Sequence, residues 1–183
     1  MKIRLAADLQ PDSIVDGEGV RTVLWTQGCP HHCQGCHNPT THDFNGGALI
    51  EVEKVIEALK EIKNQDGLTL SGGDPVCQSE ACTQIAKAAH EMGLNVWCYT
   101  GFTYETMLQN PKHKELLKEI DVLVDGKFIL EEKSYDLYFK GSRNQRIIDV
   151  KKSLTEERVV LVEKYKDEKD YETKYEKPNY MFI

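Results

Sequence analysis

The sequence lacks several features that mark whole classes of protein. It has no run of about 20 apolar residues, the length that crosses a bilayer. Its first ten residues, MKIRLAADLQ, contain no apolar stretch followed by a small-residue cleavage site. It also lacks a basic excess, because 30 acidic residues against 23 basic ones give a net charge of −7, whereas nucleic-acid binders carry a basic face. These absences predict a cytoplasmic protein that binds neither membranes nor nucleic acid.

Cysteine is present, but its pattern is not that of a disulfide framework. An even number of cysteines indicates disulfides mainly in short secreted chains. Here three of the six, Cys29, Cys33 and Cys36, fall within eight residues, and we expect thiols in a reducing compartment. The other three match no second metal motif, and we interpret them as small, buried, apolar residues. They are Cys77, Cys82 and Cys98.

Strand and helix patterns alternate along the 183 residues, which suit one domain. β-branched runs predict strands, and apolar residues at helical spacing predict helices between them. The predicted strands lie within 20–27, 68–75, 95–102, 121–128, 146–150 and 158–165, and the predicted helices lie at 51–64, from Ser79 to Gly93, at 103–109 and at 112–119. This alternation predicts an α/β fold with a mostly parallel sheet. We assign residues 1–163 to a single domain and residues 164–183 to a charged C-terminal extension.

Four polar or glycine-rich segments each follow a predicted strand. They are GCPHHC, SGGDP, TGF and VDGKF. In parallel α/β folds the carboxyl ends of the strands form the edge that binds ligands. The sequence therefore predicts one site assembled from separate stretches of the chain.

The cysteine cluster favours an iron-sulfur centre over zinc. Most structural zinc sites in a single chain pair two separated Cys-x₂₋₄-Cys knuckles, and no second knuckle exists here. Iron-sulfur clusters are held by several soft thiolates, often from one compact loop. Three thiolates on a four-iron cluster leave one iron free to accept a small molecule. We do not expect the nearby histidines to be ligands, although the ring of His37 is placed to pack over a bound cofactor.

The pattern Cys-x₃-Cys-x₂-Cys after the first main strand resembles the signature of the radical S-adenosylmethionine enzymes. SGGDP resembles their Gly-Gly-Glu-Pro motif, and VDGEGVRTVLWTQGC with CHNP is similar to the glycyl-radical-enzyme activases. LTLSGGDP, YTGF, VLVDGKF and GSRNQR occur in the order typical of activating proteins of anaerobic (class III) ribonucleotide reductases. The resemblance covers about residues 13–150 and implies a partial (β/α) barrel of mostly parallel strands.

The resemblance also implies a reaction. Cys29, Cys33 and Cys36 would ligate three irons of a [4Fe-4S] cluster, and the fourth iron would bind the amino and carboxylate groups of S-adenosylmethionine. One electron from the reduced cluster would break the sulfonium bond. The resulting 5′-deoxyadenosyl radical would take a hydrogen atom from a glycine of the anaerobic reductase. A flavodoxin- or ferredoxin-like protein would supply the electron.

Further residues gain expected roles from the same resemblance. Gly72 and Gly73 would let the backbone approach S-adenosylmethionine, and Asp74 would pair with its ammonium group. A tight turn is the alternative for this segment. The other expected roles fall into three pairs: Asp125 and Lys127 at the methionyl end, Gly35 and His37 near the adenine, and Asp16 and Arg21 against the target peptide. An Asp-Gly turn is the alternative for Asp125, and a surface turn is the alternative for Asp16 and Arg21.

Three positions depart from the pattern of this family. Glu18 stands where activases usually have proline, His42 where tryptophan is common, and Gly35 where an aromatic residue is preferred. Two other functions are considered: an activase for another glycyl radical enzyme, such as pyruvate formate-lyase, and a non-catalytic zinc-binding module. The short chain and the DGKF and GSRNQR segments count against the first. Metal analysis distinguishes the zinc-binding module from the activase, because a cluster gives brown protein with about four irons per chain, whereas a zinc protein is colourless.

Overall fold

The computed structural model describes residues 1–166 as alternating strands and helices around one sheet. The strands are β1 (Lys2–Leu5), β2 (Gln10–Ser13), β3 (Arg21–Thr26), β4 (Ala48–Glu51), β5 (Gly67–Gly72), β6 (Asn95–Tyr99), β7 (Val122–Asp125) and β8 (Arg146–Asp149). The helices are α1 (Val52–Glu61), α2 (Ser79–Glu91), α3 (Tyr104–Leu108), α4 (Pro111–Lys118) and α5 (Val150–Glu156). No helix in this part of the chain is long and apolar enough to cross a membrane.

The sheet is parallel at its centre and antiparallel at both flanks. Its strand order is β4-β1-β3-β5-β6-β7-β8, with β2 paired to β3. Strands β3, β5, β6 and β7 run parallel, so that Thr26 pairs with Gly72 and Tyr99 pairs with Val124. Strands β1, β2, β4 and β8 pair antiparallel with their neighbours. This arrangement confirms the predicted α/β class with an open, centrally parallel sheet.

The core lies between the sheet and the helices on one of its faces. Leu24 of β3 and Leu70 of β5 are fully buried there. Helix α2 turns the periodic residues Cys82, Ile85 and Ala89 onto this core. Spacings of three and four residues place these side chains on one face of the helix, which is why the periodicity predicted it correctly. The helices thus cover one face and leave the carboxyl ends of the parallel strands open to form a site.

The segment 158–165 is not the strand that the sequence predicts. Leu161 makes a single antiparallel bridge with Ile148, and Glu163–Tyr165 forms a short 3-10 turn. The turn buries Tyr165 beside Trp97, and this packing bends the chain away from the sheet. The assignment of residues 164–183 to an extension stays a prediction. Lys164 and Tyr165 contact Glu18 in the domain, and residues 167–183 lie outside the described part.

Candidate metal centre

The cysteine loop follows β3 and is closed at its base by backbone hydrogen bonds. The Gly28 N–H donates to the Thr41 carbonyl at 2.8 Å, and the Cys29 N–H donates to the His42 carbonyl at 3.1 Å. The carbonyl of Gly28 also accepts from the Asp74 N–H at 2.8 Å. The loop between Cys29 and His42 is therefore anchored at both ends and tied to the tip of β5.

The three cysteines of this loop line one cavity of about 470 Å³, within the range of small-molecule sites. Cys29 is buried, while Cys33 and Cys36 are half-buried, and all three are free thiols. Burial raises the pKa of the Cys29 thiol. The side chains of Trp25 and Phe128 add apolar wall to the same cavity. Three soft sulfur ligands facing one partly enclosed space fit an iron-sulfur cluster.

One group of three potential ligand atoms lies close together beside the cysteine loop. In residues 1–166, the group of three potential ligand atoms within 4.8 Å of one another consists of Cys29, His31 and Asp74. The sulfurs of Cys33 and Cys36 are not part of this group.

Gly72 and Gly73 sit where the tips of two strands meet. Gly72 has φ +102°, and a Cβ built on it would lie 2.5 Å from the backbone nitrogen of Thr26. A Cβ on Gly73 would lie 2.5 Å from the carbonyl oxygen of Gly28. Both positions therefore require glycine for packing against the cysteine loop. They also line the cavity, and their expected contact with a cofactor stays a prediction.

Asp74 joins the loops that surround the cavity. Its fully buried carboxylate accepts hydrogen bonds from the backbone N–H of Val76 and Gly101 at 3.0 Å each and from the Thr100 hydroxyl at 2.8 Å. The ring nitrogen Nε2 of His31 lies 2.8 Å from Oδ2. Asp74 lines the cavity wall together with His31. The expected pairing with S-adenosylmethionine stays a prediction.

The expected contact of Asp125 and Lys127 with a methionyl group stays a prediction, and the structure gives Asp125 other partners. Arg146 donates from Nε to Oδ1 of Asp125 at 2.9 Å, and the Tyr104 N–H donates to Oδ2 at 2.8 Å. The carboxylate is almost completely buried in these contacts, because antiparallel pairing sets Asp125 opposite Arg146. Lys127 is exposed and lies outside the residues that line the cavity. Asp125 therefore anchors α3 and β8.

Asp16 and Arg21 lie in different environments, although both were expected at a peptide-binding surface. Asp16 lines the cavity rim, so a peptide contact there stays a prediction. Arg21 is fully buried and donates from Nε to the Thr69 hydroxyl at 2.7 Å and from Nη1 to Asn95 Oδ1 at 2.9 Å. Burial lowers the pKa of Arg21 to about 10, which leaves it charged at neutral pH. A contact of Arg21 with a peptide stays a prediction, and in this structure its side chain bonds to Thr69 and Asn95 inside the sheet.

Gly35 and His37, the two residues expected near adenine, flank Cys36 in the sequence. The ring of His37 lines the cavity and packs 5.0 Å from that of Phe128. Gly35 has φ +72°, and a Cβ there would lie 2.9 Å from a methyl carbon of Leu130, so glycine is needed for the turn. A direct contact of Gly35 or His37 with adenine stays a prediction.

Sequence reasoning missed several residues of the site. Tyr99 and Lys140 line the cavity, and the Tyr99 hydroxyl is buried with no hydrogen-bond partner among the described residues. Tyr99 is the last residue of β6 and directly precedes TGF. Its place at the carboxyl end of a parallel strand could have indicated that it lines the site. The ring of His42 lies 3.2 Å from Cys36 Sγ. Cys77, interpreted from the sequence as buried, is exposed.

Comparison with known proteins decides the family. The sequence matches the family described as "4Fe-4S single cluster domain" over residues 15–148. It is 34% identical over 145 residues to the anaerobic ribonucleoside-triphosphate reductase-activating protein of Haemophilus influenzae, covering 75% of this chain and 92% of that one. The protein of the same name from Vibrio cholerae is 37% identical with the same coverage. The one from Escherichia coli K12 is 33% identical over 144 residues, covering 74% and 92%.

The chain belongs to this family of activating proteins. Membership confirms the resemblance predicted from the cysteine loop and the segments that follow the parallel strands, and the iron-sulfur description agrees with the predicted cluster. Among solved structures, QueE from Escherichia coli is similar with a TM-score of 0.49 and 12% identity, covering 68% of this chain and 70% of that one.

Proposed function

We propose that this chain is the activating enzyme of an anaerobic ribonucleotide reductase and generates a glycyl radical on it by hydrogen-atom abstraction. The observation that carries the proposal is the meeting of three cysteine thiols from one loop with the glycine tip of β5 around one cavity. Membership of the activating-protein family supports an anaerobic ribonucleotide reductase as the partner.

The cofactors follow from the donor set. Cys29, Cys33 and Cys36 would hold three irons of a [4Fe-4S] cluster and would leave the fourth iron for S-adenosylmethionine. Such a cluster would supply the one-electron reduction of S-adenosylmethionine on which hydrogen-atom abstraction from a glycine Cα depends. This chain's own residues provide position and shelter, as proteins do for other cofactors.

Different residues of the cavity wall contribute to binding, to the exclusion of water and to peptide entry. Gly72 and Gly73 allow backbone approach to the cofactor, and the rings of Trp25 and Phe139 exclude water from the reacting space. Asp16 and the 73% exposed Val15 stand at the rim, where the reductase peptide would enter. A flavodoxin- or ferredoxin-like protein supplies the electron, and the reducing cytoplasm suits the free thiols.

The decisive experiment mixes the anaerobically reconstituted protein with a class III reductase, S-adenosylmethionine and dithionite. We expect the electron spin resonance doublet of a glycyl radical on the reductase, and none when S-adenosylmethionine is omitted. A glycyl radical on pyruvate formate-lyase but not on the reductase would favour the other activase. Colourless protein with one zinc per chain would reject both.

A further inference from the structure

His42 is held against one of the three cysteines by the closure of the loop itself. Its Nε2 lies 3.2 Å from Cys36 Sγ, and its backbone carbonyl accepts the N–H of Cys29. It directly follows the Pro39–Thr41 turn, which the Thr41 hydroxyl fixes by donating to the Asn38 carbonyl at 2.7 Å. The backbone of His42 is therefore held next to Cys29, and its ring reaches Cys36.

The direction of this contact depends on the state of the sulfur. A free thiol can donate to an imidazole nitrogen, but a thiolate bound to iron has no proton and can only accept. In the loaded protein the contact is therefore Nε2–H to Sγ. The Asn38 N–H also points to this sulfur at 3.4 Å, which gives Cys36 two donors.

We propose that His42 donates a hydrogen bond to the cluster ligand Cys36 and thereby raises the reduction potential of the cluster. The inference rests on the proposed ligation of iron by Cys36. A hydrogen bond to a ligand sulfur stabilises the more negative, reduced form of a cluster and orients the ligand. His42 acts through Cys36 and is a positioning residue.

Redox titration of the anaerobically reconstituted full chain tests the proposal. In His42→Phe, which keeps a ring but removes the donor, the midpoint potential should shift to a more negative value with four irons still bound. His42→Gln keeps an N–H donor and should stay close to the wild-type potential. The matched control is His32→Phe, because His32 packs edge-on against His42 at 5.1 Å between ring centres and is exposed. This control should keep the wild-type potential. An unshifted potential in His42→Phe, or an equal shift in His32→Phe, would overturn the proposal.

A second measurement compares the wild type with His42→Phe. Pulsed electron spin resonance of the reduced cluster, with ¹⁵N-labelled histidine, should detect a weakly coupled nitrogen in the wild type that is absent from His42→Phe. A strong coupling that disappears in His42→Phe would make His42 an iron ligand and overturn the hydrogen bond, and identical spectra of the two proteins would overturn it too. The two proposals fail differently: absence of any four-iron cluster in the wild type refutes the proposed function, whereas a normal cluster without these signatures refutes only the role of His42.

Discussion

At the scale of single residues, five of the six cysteines divide by environment into two kinds, and the sixth, Cys77, is exposed. Three line the cavity, whereas Cys82 and Cys98 are fully buried among apolar side chains of the core. Burial raises the pKa of both core thiols far above its usual range, so they remain protonated. A protonated, enclosed thiol neither binds metal nor reacts. The two kinds should respond differently to the same substitution.

Replacing Cys33 by alanine should abolish the cluster and the cleavage of S-adenosylmethionine, because two thiolates from this loop cannot hold it. Iron analysis and visible absorption after anaerobic reconstitution measure the result. Cys82→Ala is the matched control and should bind about four irons, with a loss of about 1 kcal/mol in unfolding free energy from the removed sulfur. Reductive cleavage surviving in Cys33→Ala would contradict the ligand assignment, and loss of iron from Cys82→Ala would contradict its core role.

Arg21→Met should lower the free energy of unfolding by about 3 kcal/mol, because it leaves several buried acceptors unpaired. Those acceptors include the carbonyl of Leu68, which Nη2 reaches at 2.8 Å, as well as Thr69 and Asn95. Urea denaturation measures the change. Lys2→Met removes an exposed charge from the same sheet and should alter stability by less than about 0.5 kcal/mol. Equal stability of the two variants would show that the hydrogen bonds of Arg21 do not stabilise the fold.

At the scale of elements, the site depends on how closely the tips of β3 and β5 approach. Gly72 has φ +102° with backbone atoms against it, whereas Gly93, after α2, has φ +80° with nothing within 4 Å of the place where a Cβ would lie. The two glycines share a positive φ but differ in the space beside them. Comparing them separates backbone strain from steric contact.

Gly93→Ala should cost about 1 kcal/mol from strain alone. Gly72→Ala should cost about 3 kcal/mol or more, because the added methyl meets the Thr26 backbone and forces the strands apart. Chemical denaturation gives both values, and calorimetry should show weaker binding of S-adenosylmethionine only in Gly72→Ala. Similar costs for the two variants would show that the strand tips can separate freely.

At the scale of the whole molecule, the end of the described chain packs back on its beginning. The Tyr165 hydroxyl donates to Glu18 at 2.6 Å, and Lys164 pairs with the same carboxylate. Glu18 belongs to the segment that carries Asp16 to the cavity rim. Its hydrogen bonds with Lys164 and Tyr165 hold the pKa of this carboxyl below its ordinary value. Glu18 thus ties the rim to the C-terminal segment.

Glu18→Gln should increase amide hydrogen exchange in residues 159–166 at neutral pH, because the ion pair with Lys164 is lost. In the wild type the protection should be complete above the unfolded pKa of Glu18 and fall as pH drops through the lower folded value. Hydrogen exchange followed by mass spectrometry measures both effects. Glu115→Gln breaks a similar exposed pair with Lys118 and should leave this segment unchanged. Protection in Glu18→Gln equal to the wild type would show that aromatic packing alone holds the segment.

Local patterns in the sequence were sufficient for the central elements. Strand β3, its parallel neighbours and helix α2 were predicted because β-branched runs and helical periodicity are read from adjacent residues. Strands β1, β2 and β4 were missed, since each contains at most one β-branched residue, whereas the equally short β7 and β8 each contain two. The strand predicted for residues 158–165 was wrong because the packing of Tyr165 overrode the strand propensity of this segment.

The sequence by itself determined the cysteine loop, since three cysteines within eight residues share one loop whatever the fold around them. It also determined that the loops after the parallel strands converge, because such strands end at one edge. Only the tertiary structure decided which charges face the cavity. Arg21 meets partners 48 and 74 residues away, and Asp125 meets Arg146 across a strand pair. Contacts over such separations depend on strand order and register, and no local pattern encodes them.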